Sequence, residues 1–335
     1  MRITELFTPP YSDEPRTLTR QTQTSDIINL HWVPYLLDWK HFFNHLSPKQ
    51  HVIWTFHDQN PLTGSLHYLE DQDQVGKAPI DPYEREIWEH ILGLQPILNR
   101  QTTIVTPSRW LTNLATNHPF WHDSECVTIH NGVDLTLFNT DGERTVRDRY
   151  GISPDTFMML FVADKVEQRR KGCDLLIQVL NKLGSTGNWH SVSVGSGDSP
   201  FTHSNHTHIG SVTNESSMAE IYRSADLLIV PSRIDNLPNT AVEAASCGTP
   251  SIAFEQGGMS DVIGPKHGIL ITPYDTESMA GEIASLIENP TRLAELSRNS
   301  RLKAEADFDI RKQATKYLRL FEECSQRNRT SAPPK

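Results

Sequence analysis

Cysteine is sparse in this sequence. Its 335 residues hold four, Cys126, Cys173, Cys247 and Cys324, far apart and with no Cys-x-x-Cys pair. That spacing speaks against a zinc ribbon or a disulfide framework and for isolated thiols in a reducing compartment. Long apolar runs are missing as well. Pieces such as MMLFVA and DLLIVP fall far short of the roughly 18 residues that span a bilayer. The opening stretch, MRITELFTPPYSDEPRTLTR, has no apolar signal-peptide core. Positive charge is in deficit, with 31 lysines and arginines against 41 acids and a formal net charge of −10. This argues against a protein that binds nucleic acid by neutralising phosphates, although a local basic patch stays allowed. A cytoplasmic protein is the expectation, with peripheral contact at the inner face of a membrane left open.

What is present is an ordinary globular composition, 37% hydrophobic and 21% charged, in a length that suits two domains. Residues 1–25 are polar, rich in Thr, Pro and Gln, and without periodicity, so they read as a loose opening. From Asp26 onward, short β-rich runs alternate with helix-compatible sequence. DIINLHWV and HVIWTFHD flank about twenty helix-compatible residues, and a helix around 82–99, a strand at TTIVTPS, a helix at RWLTNLATN and a strand at CVTIHNGVD follow. The chain turns polar at 138–156, as an interdomain linker does, and a second alternating series begins at FMMLFVA. Alternation of this kind predicts an α/β architecture, two doubly wound parallel sheets with helices on their faces and ligands at the carboxyl ends of the strands. The expected division is 1–145 for a first domain, 146–307 for a second, 308–326 for a C-terminal helix crossing back, and 327–335 for a tail.

The stretch RIDNLPNTAVEAASCGTP, 233–250, sets Asp235 before Glu243 with seven residues between them, between the apolar strand DLLIVPS and a helix expected to stop at Gly248. A helix N-terminus favours anions such as a diphosphate, and a carboxylate accepts hydrogen bonds from paired ribose hydroxyls. Spacing alone is better served by a bland reading, with Asp235 as a turn former and Glu243 as a first-turn acid suited to the helix dipole.

Beyond its spacing, PSRIDNLPNTAVEAASCGTPSIAF resembles the nucleotide-sugar signature of the retaining GT-B glycosyltransferases of family 4, in particular the colanic-acid and exopolysaccharide branch. RRKGCDLLIQVL is similar to that family's cationic segment, which implies Lys171 and Arg170, or Arg169 in its place, as ligands of the donor diphosphate. VGSG at 194–197 and the segment 209–232 fit the same pattern, with Val212 near the base. EQGGMSDVI resembles a loop in which Gly257, Gly258 and Met259 present backbone N–H groups to the donor. The resemblance also implies donor contacts from Asp235, Asn236, Leu237, Asn239, Thr240 and Glu243. In the first half, WTFHDQNPLTGSLHY resembles a segment whose His57 stands near the transferred sugar, with Asp58, Thr63, Gly64 and His67 in pattern. His31 and Trp32, Ser108 and Arg109, and Asn131, Gly132 and Asp134 complete it.

The resemblance implies two Rossmann-like domains facing a cleft and transfer of a sugar from a UDP- or GDP-sugar to a glycan or lipid-linked acceptor in polysaccharide biosynthesis. In that scheme Lys171 and Arg170 stabilise the leaving diphosphate, Glu243 holds the ribose, and Asp235 positions the sugar. Neither a metal nor another cofactor is expected, because the cations neutralise the diphosphate directly. One departure stands out. The family opens with a strand, a Gly-Gly loop and a helix, whereas no glycine precedes Gly64 here. The expectation is therefore a first domain incomplete at its start, with an inactive nucleotide-sugar-binding relic as the alternative to an active enzyme.

Overall fold

The computed structural model describes residues 22–33, 36–69, 91–184 and 187–330, together with Thr8, Pro10 and Glu89. Most of the polar opening and the first residues of the helix expected from 82 lie outside these. The chain divides into two compact units, Met1–His130 with Ala314–Lys335 and Asn131–Gln313. The boundary at 130/131 precedes the one expected at 145/146, and a second boundary falls inside the last helix, Ile310–Thr330.

In the N-terminal unit four parallel strands, β1 (Ile27–Leu30), β2 (His51–Thr55), β3 (Thr102–Thr106) and β4 (Glu125–Thr128), lie in sequence order. Strand β3 is buried at every position, as parallel strands covered on both faces are. One side of the sheet packs an aromatic core in which Trp54 meets Trp39, Phe56 and Trp121 edge to face. The other side places Ile53 and Val105 against Leu320 and Cys324 of the last helix. The twenty residues between β1 and β2 form a shorter helix than expected, Trp39–Asn44. Asp38 caps its start by accepting the His41 N–H at 2.7 Å, and Ser47-Pro48 follows it closely. Of the helix expected at 82–99, the described residues show helix at Glu89, Ile91 and Leu92, a turn at Gly93 and Leu94, and a second helix Gln95–Gln101 with Pro96 in its first turn.

The C-terminal unit carries six parallel strands, β5 (Phe157–Lys165), β6 (Trp189–Ser196), β7 (His206–Gly210), β8 (Leu227–Val230), β9 (Ser251–Phe254) and β10 (Gly268–Ile271), in the order β10-β9-β8-β5-β6-β7. Alternation along the strands sorts side chains to two cores. Met158, Leu160, Val192 and Leu228 face one helical layer, and Met159, Phe161, Leu227 and Ile229 face the other. Sequence-neighbouring strands are spatial neighbours except β7 and β8: β8 returns to lie beside β5, and there the chain reverses its direction of travel across the sheet. A crevice opens at such a reversal beyond the carboxyl ends of the strands. The loops that follow β5 and β8 are those carrying Arg170, Lys171 and Asp235.

The far edge of this sheet holds a histidine under constraint. His206 stacks on Phe201 with ring centroids 4.1 Å apart, and its two nitrogens lie 2.8 and 3.0 Å from the hydroxyls of Ser191 and Ser193. Burial, reinforced by His190, His208 and His203, pushes its pKa from 6.5 down to about 4. The folded state thus declines a proton that the unfolded chain accepts, so the stability is present above pH 6.5 and is lost as pH falls towards about 4. Melting temperature should fall over that window, and His206→Gln should flatten this part of the profile when the two proteins are scanned side by side.

Candidate active site

The loop after β5 is shaped by a close approach. Arg169–Lys171 make one turn of 3-10 helix, and Gly172, at φ 73°, leads into the helix Cys173–Leu183. A Cβ on Gly172 would stand 1.9 Å from the carbonyl oxygen of Pro231, just beyond β8. Glycine is required there both for the left-handed backbone and for the space. The two loops are then stitched together. The Arg233 N–H donates to the Arg170 carbonyl at 2.8 Å. The Arg233 guanidinium donates to the Arg169 carbonyl at 2.6 Å and forks onto the Asp174 carboxylate at 2.8 and 2.6 Å. That fork holds the Asp174 carboxyl below the usual carboxylate range.

Asp235 lies at the centre of this arrangement, 7% exposed. The Lys171 ammonium donates to its Oδ2 at 2.6 Å, and a guanidinium nitrogen of Arg170 stands 3.6 Å from the same oxygen while donating to the Ile234 carbonyl at 3.2 Å. Burial by itself raises the Asp235 pKa, but Lys171, Arg170 and the Asn236 N–H outweigh it, and the carboxyl stays ionised below its ordinary range. The glycine turn after β9 grips the backbone of the same residue. The Gly258 N–H donates to the Asp235 carbonyl at 2.9 Å, and a Cβ on Gly257, at φ 60°, would come within 2.1 Å of that oxygen. The Met259 N–H donates to the Gln256 carbonyl at 3.3 Å. The donors expected from Gly258 and Met259 are therefore engaged inside the protein, because the turn must hold the Asp235 loop in place.

Glu243 sits in the second turn of the helix Asn239–Ser246, whose first turn carries no acid, so the helix-dipole reading does not apply to it. The fully buried Tyr222 donates its hydroxyl to Glu243 Oε2 at 2.7 Å. Burial raises the Glu243 pKa, only partly offset by that hydrogen bond, and the Tyr222 phenol is pushed well above 10.

A cavity of about 530 Å3 opens among these loops, and Arg170, Lys171, Val212, Thr240 and Glu243 line it. The residues expected in the donor site but not lining this cavity have other engagements. Asn236 and Leu237 are 2% and 5% exposed, and Leu237 belongs to the core. Asn239 accepts from the Asn131 side-chain amide at 3.0 Å. Arg169 lines a separate cavity beside Cys173 and Asp174. Asp164, Gln168, Ser211 and Tyr222 also line the first cavity without having been singled out. Tyr222 lies inside a quoted segment, but nothing in the sequence says that its hydroxyl reaches Glu243. Among the described residues no group of three or more potential metal ligands comes together. The sequence does contain two Asp-x-Asp triplets. Asp71-Gln72-Asp73 lies outside the described residues, and in Asp307-Phe308-Asp309 the two acids pair with Lys303 and Arg311.

In the N-terminal unit, His31, Trp32, His57 and Asp58 line a small crevice. His57 Nε2 is 3.0 Å from His31 Nδ1, and burial together with His31 holds its pKa below the usual value, against a smaller opposing effect of Asp58. Asp58 pairs with His67 at 2.6 Å and accepts the Asn60 N–H at 2.9 Å. Thr63 donates to the Leu66 carbonyl at 2.6 Å, and Gly64 takes a left-handed cap at φ 78°. These residues build the loop that carries His57. Ser108 caps the helix Arg109–Thr116, accepting the Leu111 N–H at 3.1 Å. Asp134 accepts from the backbone and hydroxyl of Thr136 as a turn former. Gly132 admits Ile310, whose Cα would lie 2.5 Å from a Cβ placed there.

Residues 156–289 match the family model of the glycosyl transferases group 1. The match covers both cationic side chains, both acids and the glycine turn. Among curated proteins, the D-inositol 3-phosphate glycosyltransferase 1 of Catenulispora acidiphila is 29% identical over 221 residues, 58% of this chain and 50% of that protein. The chain spans about half the length of the first curated relatives it matches. Among solved structures, the sucrose-phosphate synthase of Thermosynechococcus elongatus aligns at TM-score 0.70 and 18% identity, over 92% of this chain and 76% of that one. HepE of Anabaena, solved in complex with UDP-glucose, aligns at TM-score 0.66 and 16% identity, over 91% and 81%. The two parallel sheets and these structural neighbours make the fold GT-B, with two Rossmann-like units. No described helix is long and apolar enough to cross a membrane.

Breaking the buried pair should destabilise the protein. Lys171→Met leaves Asp235 with Arg170 as its remaining cation, and the expected loss is about 3 kcal/mol, the lower end of what a buried charge left without its partner costs. Adding Asp235→Asn should recover part of it in urea denaturation.

Proposed function

We propose that this protein is a retaining glycosyltransferase that moves a sugar from a UDP- or GDP-sugar to a hydroxyl of a glycan or lipid-linked acceptor in polysaccharide biosynthesis. One observation carries the reading. Two cationic side chains and a half-buried acid, Glu243, line one cavity at the strand reversal of the C-terminal sheet, where a nucleotide diphosphate fits in charge and size. The match to a glycosyl transferase model over the same residues supports it, as do the glycosyl-transfer names of the relatives and the UDP-glucose held by a structural neighbour.

In this reading Arg170 and Lys171 meet the diphosphate and stabilise the charge that grows on it as the sugar departs. Fixed cations do this without a divalent ion, so no metal or other cofactor is assigned. Glu243 accepts hydrogen bonds from the ribose hydroxyls through the carboxylate that Tyr222 orients, and Val212 and Thr240 border the nucleoside. His57 is proposed as the active-site histidine of the N-terminal unit. Exclusion of water during transfer prevents hydrolysis of the donor.

The test is binding of UDP, GDP, UDP-glucose and GDP-mannose, followed by thermal shift and calorimetry. At a hundredfold excess over Kd, a ligand of the folded state adds about 2.7 kcal/mol of stability. Lys171→Ala and Glu243→Ala should each weaken the nucleotide that binds about ten- to hundredfold, since a hydrogen bond to a charged group contributes roughly 1.5–3 kcal/mol. Binding of none of the four, or unchanged affinity in both variants, would sink the proposal.

A further inference from the structure

Asp235 stands in the loop that a sugar-positioning acid would occupy, yet its surroundings give it another task. Oδ2 is taken by the Lys171 ammonium at 2.6 Å with Arg170 at 3.6 Å, and its backbone carbonyl is held by Gly258 at 2.9 Å. The side chain is buried behind the two cations. Lys171 and Arg170 line the donor cavity, and Asp235 is not among its lining residues. We propose that Asp235 is a positioning residue that acts on the donor through Lys171 and Arg170 as their counter-ion, without binding the transferred sugar itself. This deepens the donor-site reading and rests on it.

The argument is geometric and electrostatic. An ammonium has three N–H donors. One of them goes to Asp235, and that single short bond sets the direction in which Lys171 presents the other two. The aspartate stem has only one methylene, so with the backbone pinned by the glycine turn the carboxylate has little reach beyond the cations. Its negative charge also reduces the pair of cations to a net single positive charge. A diphosphate arriving in the cavity therefore competes with Asp235 for the same nitrogens, which limits how tightly the nucleotide product is retained.

The consequence is read by comparing a nucleotide with and without its sugar. Kd values for UDP and UDP-glucose, and in parallel for GDP and GDP-mannose, are measured by calorimetry on the full chain for wild type, Asp235→Asn, Lys171→Met and the double variant. Asparagine keeps the shape and an acceptor for Lys171 while removing the competing charge. The expected result is that Asp235→Asn tightens the nucleoside diphosphate and its sugar conjugate by the same factor, about three- to tenfold, with a steeper salt dependence. In the Lys171→Met background the same substitution should have a smaller effect, the part that acts through Arg170. An unchanged diphosphate affinity together with a weakened sugar conjugate would mean that Asp235 touches the sugar, and would overturn the proposal. So would an effect that persists undiminished without Lys171. A wild type that binds neither UDP nor GDP would overturn the donor-site reading and this inference with it, a result distinct from either of the others. Melting curves for each variant separate altered binding from lost folding.

Discussion

The carbonyl oxygen of Pro231 occupies the space that a side chain at residue 172 would need. That contact presses the loop after β5 against the exit of β8, the two strands between which the sheet reverses. The placing of the cations in the C-terminal unit depends on it. The Arg233 fork onto Asp174, the Arg233 N–H to the Arg170 carbonyl and the Lys171 bridge to Asp235 all cross the same seam. A local basic run becomes two aimed cations only because a strand end lies under it.

Around that seam the protein manages charge in two opposite ways. Asp235 is buried but paired, so its carboxyl remains ionised and its cost of desolvation is offset by the cations it faces. Glu243 is half-buried with a phenol as its partner, and desolvation pushes its carboxyl towards the neutral form. Two acids separated by seven residues in a single signature thus live in different electrostatic settings. The first acts through the cations and the second keeps its place on the cavity wall. Desolvation is common to both, and the identity of the neighbour decides the outcome.

The strands of the C-terminal unit were legible because parallel strands covered on both faces read as unbroken apolar runs, as in LLIV and SIAF. The helix Cys173–Leu183 is bounded by two glycines that the sequence displays, Gly172 at its start and Gly184 at its end. The helical stretch between β1 and β2 was read too long, since helix-compatible composition does not show where a cap and a Ser-Pro pair cut a helix short. The cation segment and Glu243 stand out by pattern, and Arg170, Lys171 and Glu243 line one cavity. The glycine turn was legible as a turn, but its task was not. Its N–H groups were expected to face a ligand, and the Gly258 N–H faces the Asp235 carbonyl instead. Tyr222 could not be chosen from sequence, because its hydroxyl meets Glu243 only when two helices pack together.

The sequence by itself determined the alternation of strands and helices, the two-unit α/β organisation, and the set of charged and glycine residues from which a donor site can be built. These follow from local periodicity and residue chemistry. Only the tertiary structure decided which of three adjacent cations line the cavity, which acid is paired and which is not, and what the glycines are for. Those outcomes depend on contacts of about 2–4 Å between loops some sixty residues apart, as at Lys171 and Asp235, and distances of that kind are not encoded in any one segment of the chain.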